Sequence, residues 1–161
     1  MPNKKPLVIY TGQYAQIQAG DVVDAPINGS IQLGLTNGES VAVVAGAPVY
    51  VSSPGSFMRA CANAAATTKS IGLVATASIA PAGSGDVALD GALVLTTAQW
   101  DAVTGQVGGL IAGSRYFLDA SAPGRLTPDA PSSEGDYIAL IGTAVDVATM
   151  SISISTQPIL L

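Results

Sequence analysis

The sequence predicts an all-β protein: a compact barrel or sandwich of short strands, with an extended N-terminal arm and one short helix near residues 97–103. Three observations predict it. Gly (18) and Pro (10) punctuate the chain every few residues. Between them lie short runs of β-branched and aromatic character, such as "LVIY", "SIQLGL", "PVYVS" and "YIALIGTAV". The run "SISIS", Ser151 to Ser155, alternates cleanly, as a strand with one wet face does.

The elements follow in order. Residues 1–20 read as an arm and 21–161 as a β-rich body. In the arm, Lys4 and Lys5 precede the apolar run Leu7, Val8, Ile9, Tyr10. In "AGAPVYVSSPGSFMRA", from Ala45, two short strands flank Pro54-Gly55. A type II turn wants that order, Pro at its second position and Gly at its third. "MRACANAAATTKS" is Ala-rich, but Thr67-Thr68 favour a loop or strand. "GSGDVALDG" alternates at Val87 and Leu89 as a strand, with Asp90-Gly91 as its turn. "LTTAQWDAVTG" carries the helix: Thr96 caps it, Gln99 reaches back as a capping box, and Gly105 stops it. Trp100 and Val103 share one face of that helix, so Trp100 reads as a core residue over one end of the sheet.

A second stretch, "AGSRYFLDASAPGRLT" from Ala112, repeats the pattern that begins at Ala45. Gly46 matches Gly113, Tyr50 matches Phe117, and Pro54-Gly55 matches Pro123-Gly124. Downstream, Ile71-Gly72 matches Ile141-Gly142. The spacing fits two β units, about 45–95 and 112–156, or the same turn chemistry used twice.

Composition narrows the function. At 161 residues the chain fits one domain or two small intimate ones. A chain of this size buries roughly 70% of its unfolded surface, enough for a core without staples. Only 11% of residues are charged, against about 25% in ordinary domains. Much of the surface is therefore small and neutral, which suits a protein covered by partners. Net charge is −5, and Lys4-Lys5 is the one basic pair. Nucleic-acid binding by phosphate neutralisation is not expected. With no His and a single Cys61, the usual general base, cysteine zinc sites and internal disulfides are all missing. No apolar run reaches the ~20 residues of a membrane span, and the N-terminus has no adequate signal-peptide core.

Several constellations invite chemistry. Arg115, Tyr116 and Asp119 fall close together, and strand alternation places Arg115 and Asp119 on one face. Read beside Pro48 and Ser52 in the first unit, they are surface decoration on a reused hairpin, with a modest ion pair at most. Asp86 and Asp90 offer two carboxylates, but calcium wants six to eight oxygens. Glu134 and Asp136 sit in an exposed turn. Neither "GSGDV" nor "GQVGGL" carries the lysine of a phosphate loop. No catalytic residue, metal or cofactor is expected. Both termini, "MPNKKP" and "TQPILL", are too short to build a core, so both are expected to be held by a neighbour.

The chain resembles bacteriophage virion proteins, namely capsid decoration (cement) proteins and related head- or tail-fibre subunits. The segments that carry the resemblance are "TGQYAQIQAGDVVDAPI", "GAPVYVS", "ANAAATTKSIGLVA", "DGALVLTTAQWDAVTGQVGGLIAGSRYFLDASAPGRLT" and "QPILL". It implies a β-tulip-like barrel, a homotrimer, and a non-enzymatic role on the outside of the virion after assembly in the host cytoplasm. The implied partners are the major capsid protein and further copies of the chain, with no nucleic acid and no membrane. Lys4, Lys5, Leu7, Val8, Ile9 and Tyr10 are expected to touch the shell or a partner, as are Ile159, Leu160 and Leu161. The alternative is a fibre subunit or adsorption module that binds host surface glycan. Tyr14, Trp100, Tyr116 and Tyr137 would be its candidate stacking residues. A carboxylate-only hydrolase is a third class, and no convincing acid pair supports it.

Overall fold

The structure is a computed structural model that describes residues 31–161, with side chains from Leu33 onward, and the backbone of Leu7–Tyr10 and Gln13–Gln16. It is all-β with one short helix among the described residues. The arm contributes β1 (Leu7–Tyr10) and β2 (Gln13–Gln16), which pair antiparallel with each other, Leu7 opposite Gln16 and Tyr10 opposite Gln13. The body follows with β3 (Ile31–Asn37), β4 (Val43–Val44), β5 (Pro48–Ser53), β6 (Ser56–Arg59), β7 (Gly72–Val74), β8 (Ser78–Ile79) and β9 (Ser84–Val94). The helix α1 (Thr97–Thr104) leads to β10 (Arg115–Leu118), β11 (Leu126–Thr127), β12 (Tyr137–Ile138), β13 (Leu140–Ala144), β14 (Thr149–Ile152) and β15 (Ile159–Leu160).

Strands β9, β3, β6, β5 and β7 close into a five-stranded barrel, because β7 pairs with both β5 and β9. The same sheet continues from β9 through β14, β13 and β10 to β11. One strand serves both parts. β9 pairs with β3 and β7 along Ser84–Asp90, then with β14 along Gly91–Val94. Asp90-Gly91, expected as a turn, instead lies within the continuous strand. Gly91 sits at φ +85°, and the Asp90 carboxylate accepts its N–H. That positive φ bends the strand without ending it, at a place where a Cβ would be strained.

The two units seen in the sequence carry matched bonds. Val49 faces Gly72 across β5–β7, and Tyr116 faces Gly142 across β10–β13. The Gly46 N–H donates to the Val74 carbonyl and the Gly113 N–H to Ala144, each at 2.8 Å. Val74 donates back to Ala47, and Ala144 to Ser114. Gly55 and Gly124 close the two hairpins at φ +75° and +76°. Gly72 and Gly142 are the closest backbone approaches in each unit. A Cβ at Gly72 would overlap the Ala88 carbonyl oxygen, and one at Gly142 would lie 2.5 Å from that of Ser151.

The helix forms as its capping residues dictate. The Gln99 N–H donates to Thr96 Oγ1, the Thr96 N–H donates to Gln99 Oε1, and Gly105 closes the helix in the left-handed region. Trp100 and Val103 are its buried residues. Trp100 Nε1–H donates to the Ala148 carbonyl at 2.7 Å, tying the helix to the turn before β14. A single apolar cluster runs from Phe57, Leu73 and Val87 in the barrel to Trp100, Tyr116, Ile141 and Met150 beyond it. The C-terminus is held by its own body: Tyr137 pairs with Leu160 and Ile138 with Ile159. Two residues of ladder on β12 satisfy the backbone there.

Two outcomes test this packing. Gly72→Ala and Gly142→Ala should each lower stability by about 1–3 kcal/mol through overpacking. Gly34→Ala, whose methyl meets only the Asp86 carboxylate at 3.9 Å, should stay within about 0.5 kcal/mol in the same urea titration. Trp100→Ala, which empties a fully buried site, should cost about 3–5 kcal/mol; a smaller loss in urea would remove the helix from the core.

Candidate interaction surfaces

The charged residues of Ala112–Thr127 do not assemble a reactive centre. Arg115 opens β10 on the exposed side, opposite Thr143. Tyr116 is fully buried. Its hydroxyl donates to Gln106 Oε1 at 2.6 Å and accepts the Ile111 N–H at 2.9 Å, so it pins the loop after α1. Asp119 lies past the end of β10. Its Oδ1 accepts the Ser121 N–H and hydroxyl, each at 2.6 Å, and the Ala122 N–H at 3.1 Å. Burial pushes this carboxyl up, but those hydrogen bonds and the Arg125 charge outweigh it and hold the group below the usual range. The expected pairing of Arg115 with Asp119 does not form. Four residues of strand hold the two about 13 Å apart, and the Asp119 carboxylate is taken up by its own turn.

The ion pair among the described residues is one the sequence did not suggest. Arg59 in β6 grips Glu39 with Nε–H to Oε1 at 3.1 Å and Nη2–H to Oε2 at 3.0 Å. The Arg59 backbone N–H adds a third bond to Oε1 at 2.8 Å. Glu39 belongs to the loop after β3, so the pair fastens that loop to the barrel. Burial raises the Glu39 carboxyl, and the Arg59 bonds more than reverse it, leaving it below the ordinary value. No local signal joins positions twenty apart, because only the parallel β3–β6 pairing brings them together.

Of the acidic candidates, Asp90 serves the backbone. Asp86 and Asp90 are exposed on β9, and Asp90 bonds its own neighbour Gly91. Among the described residues no three His, Cys, Asp or Glu side chains converge as metal ligands. Cys61 is buried, its Sγ donates to the Ala120 carbonyl, and burial raises its thiol. Of the aromatics considered for glycan stacking, Trp100 and Tyr116 are sealed in the core, Tyr137 is half-buried, and Tyr14 lies where side chains are not described.

What the molecule does present is apolar surface held by stiff loops. Val107, at 98% exposure, projects from the loop after α1. The Asp101 carboxylate accepts the N–H groups of Gly108 and Gly109 and fixes that loop. Leu110 N–H bonds the Val147 carbonyl, bringing the turn after β13 alongside. Asp146 accepts the N–H groups of Ala148 and Thr149, each at 2.7 Å, and braces that turn. Ile111, Val145 and Val147 are exposed on these two loops. At the C-terminus, Ile159, Leu160 and Leu161 pair through their backbones and leave their side chains in solvent, Ile159 at 63%. Lys4 and Lys5 lie outside the described residues. Leu7, Val8, Ile9 and Tyr10 are described as backbone only, in the β1–β2 hairpin.

The Glu39–Arg59 clamp gives a signed pH dependence. A carboxyl held low in the folded state stabilises it above the unfolded value near 4.5, and that contribution is lost as pH falls through the folded value. Glu39→Gln should remove about 1–3 kcal/mol at pH 7. It should also flatten the acid side of a stability–pH curve; parallel curves for both proteins would show that the clamp contributes nothing. A comparison with known proteins finds no family model that matches the chain and no matching curated protein.

Proposed function

We propose that this protein is a non-enzymatic structural component of a bacteriophage particle: a decoration protein that binds the outside of the major capsid lattice and clamps neighbouring subunits. The observation that carries the reading is a weakly charged all-β body that exposes valine, isoleucine and leucine at loop tips and at its C-terminal strand. Apolar side chains on braced loops lose little conformational entropy when covered, so they favour contact over catalysis. The sequence resemblance to phage virion proteins supplies the partner, the shell. It also supplies the homotrimer and the exterior location.

The physical logic is mass action. A shell under internal pressure fails at its subunit junctions. A protein that touches two or three subunits binds only the assembled state and lowers its free energy. Strand addition and apolar contact need little charge, in keeping with the composition. The arm through Tyr10, with Lys4 and Lys5 beside "LVIY", is the segment proposed to meet the coat, whose acidic surface would receive the lysines.

Deleting residues 1–12 should abolish or strongly reduce occupancy on purified shells while leaving the body folded. Unchanged occupancy would refute the role of the arm. Copy number in the particle separates the alternative. Hundreds of copies fit decoration, whereas a few or a few dozen, with specific glycan binding, would make it a fibre or adsorption subunit.

A further inference from the structure

We infer that the open end of the barrel is an interface between copies of this chain, in which one copy seats its C-terminal ribbon, Ile159–Leu160, in the mouth of the next. This goes beyond the decoration reading, which names no surface for contact between copies, and does not depend on it.

The mouth is built by strand alternation. Leu33 lies two residues before buried Leu35 in β3, Val51 two after buried Val49 in β5, and Ile71 two before buried Leu73 of β7. Each continues an inward-facing row of the barrel to its rim. The register puts them at the same end: Val49 pairs with Gly72, Leu73 with Ala88, and Leu33 with Val87. Leu89 of β9 joins them, and the run from Ile152 to Pro158 forms one wall of a hollow of about 850 Å³. Beneath it Val49, Phe57, Leu73 and Val87 are fully buried, so the hollow is blind. Its rim is aliphatic and wet, with Leu33 and Val51 at 44% and 47% exposure. A concave apolar surface left in water marks a place where a partner binds.

A second copy fits this mouth in shape and in charge. Pro158, on the rim, leads straight into β15. β15 and β12 make a two-stranded ribbon in which Leu160 shares a face with Tyr137 and Ile159 with Ile138. The ribbon is braced: the Tyr137 N–H donates to the Ala62 carbonyl at 2.8 Å, and the Leu161 N–H to the Asp136 carbonyl at 3.0 Å. Leu160 is nevertheless 59% exposed and Ile159 more so, one on each face. A chain's ribbon therefore does not fill its own mouth. A protruding aliphatic ribbon beside an aliphatic hollow is a self-complementary surface, and a braced ribbon loses little freedom when covered. Charge points the same way. Exposed Lys69 and Asp90 both line the hollow, so its rim carries one charge of each sign. A simple anion or cation would meet a like charge there. A second copy, turned about a symmetry axis, brings its Asp90 to Lys69 and its Lys69 to Asp90.

Mass in solution tests the interface. Sedimentation velocity of the full chain should show a concentration-dependent multiple of the single-chain mass; a single-chain mass up to about 100 μM would overturn the inference. Leu160→Asp and Val51→Asp, on the two sides of the contact, should each weaken association at least about tenfold with the circular dichroism unchanged. Undiminished association in both would overturn it. Lys69→Glu and Asp90→Lys should each weaken association, because like charges then face each other. A mixture of those two variants should associate more tightly than either alone, since each supplies the charge that the other lacks; a mixture no tighter than its components would overturn the inference. Location is read by oxidising the double variant Val51→Cys, Leu160→Cys with diamide. The product should join isotope-labelled to unlabelled chains, while the parent chain, with buried Cys61 alone, gives none. Links within one chain, or no link, would overturn the assignment to a second copy.

Discussion

The architecture depends on one strand serving two parts of the same sheet. β9 is eleven residues long. Its first part closes the barrel and its last part carries the sheet on to β14, with the change of partner at Gly91. A positive φ makes the bend, and a glycine makes that φ cheap. Because both parts hang on the same strand, their apolar faces merge into one core. Trp100, six residues beyond the end of β9, closes the seam through its bond to Ala148. Losing the bend would separate the halves, and each alone would be a marginal domain by size.

Within that frame the two units solve the same packing problem differently. In the first, β3 joins β6 to β9 and the barrel closes. In the second, β11 is only two residues long, and α1 packs between it and β4. A helix in place of a strand leaves more of that half open. The loops around α1 are also where the exposed valines and isoleucine gather. Those loops stay stiff because acidic side chains cap them internally. Asp101, Asp119 and Asp146 each accept backbone N–H groups of their own loops. The scattered acids of this chain shape turns more than they recognise ligands, which leaves apolar contact as the main resource of the surface.

Much of the local structure was legible in the sequence. Gly and Pro spacing announced short strands, and Thr96, Gln99 and Gly105 announced the helix within one residue of its end. Pro54-Gly55 and Pro123-Gly124 announced their hairpins. These signals are legible because each is local: a cap, a turn or an alternation is decided by neighbours within about four residues. Asp90-Gly91 misled for the same reason. The dipeptide that makes a tight turn also makes a bulge, and only the strands on either side decide which.

Tertiary structure alone decided the rest. It joined Glu39 to Arg59 through a parallel pairing and sank Tyr116 out of reach of any ligand. It also drew Leu33, Val51, Ile71 and Leu89 from four strands into one stripe. Strand partners are set by burial summed over the whole sheet, and small, Gly-rich strands specify their register weakly from sequence. The chain therefore determined its own alphabet of turns, caps and strands. Which of its faces would be dry, and which left in solvent, was decided only when β9 bent and brought the two parts of the sheet together.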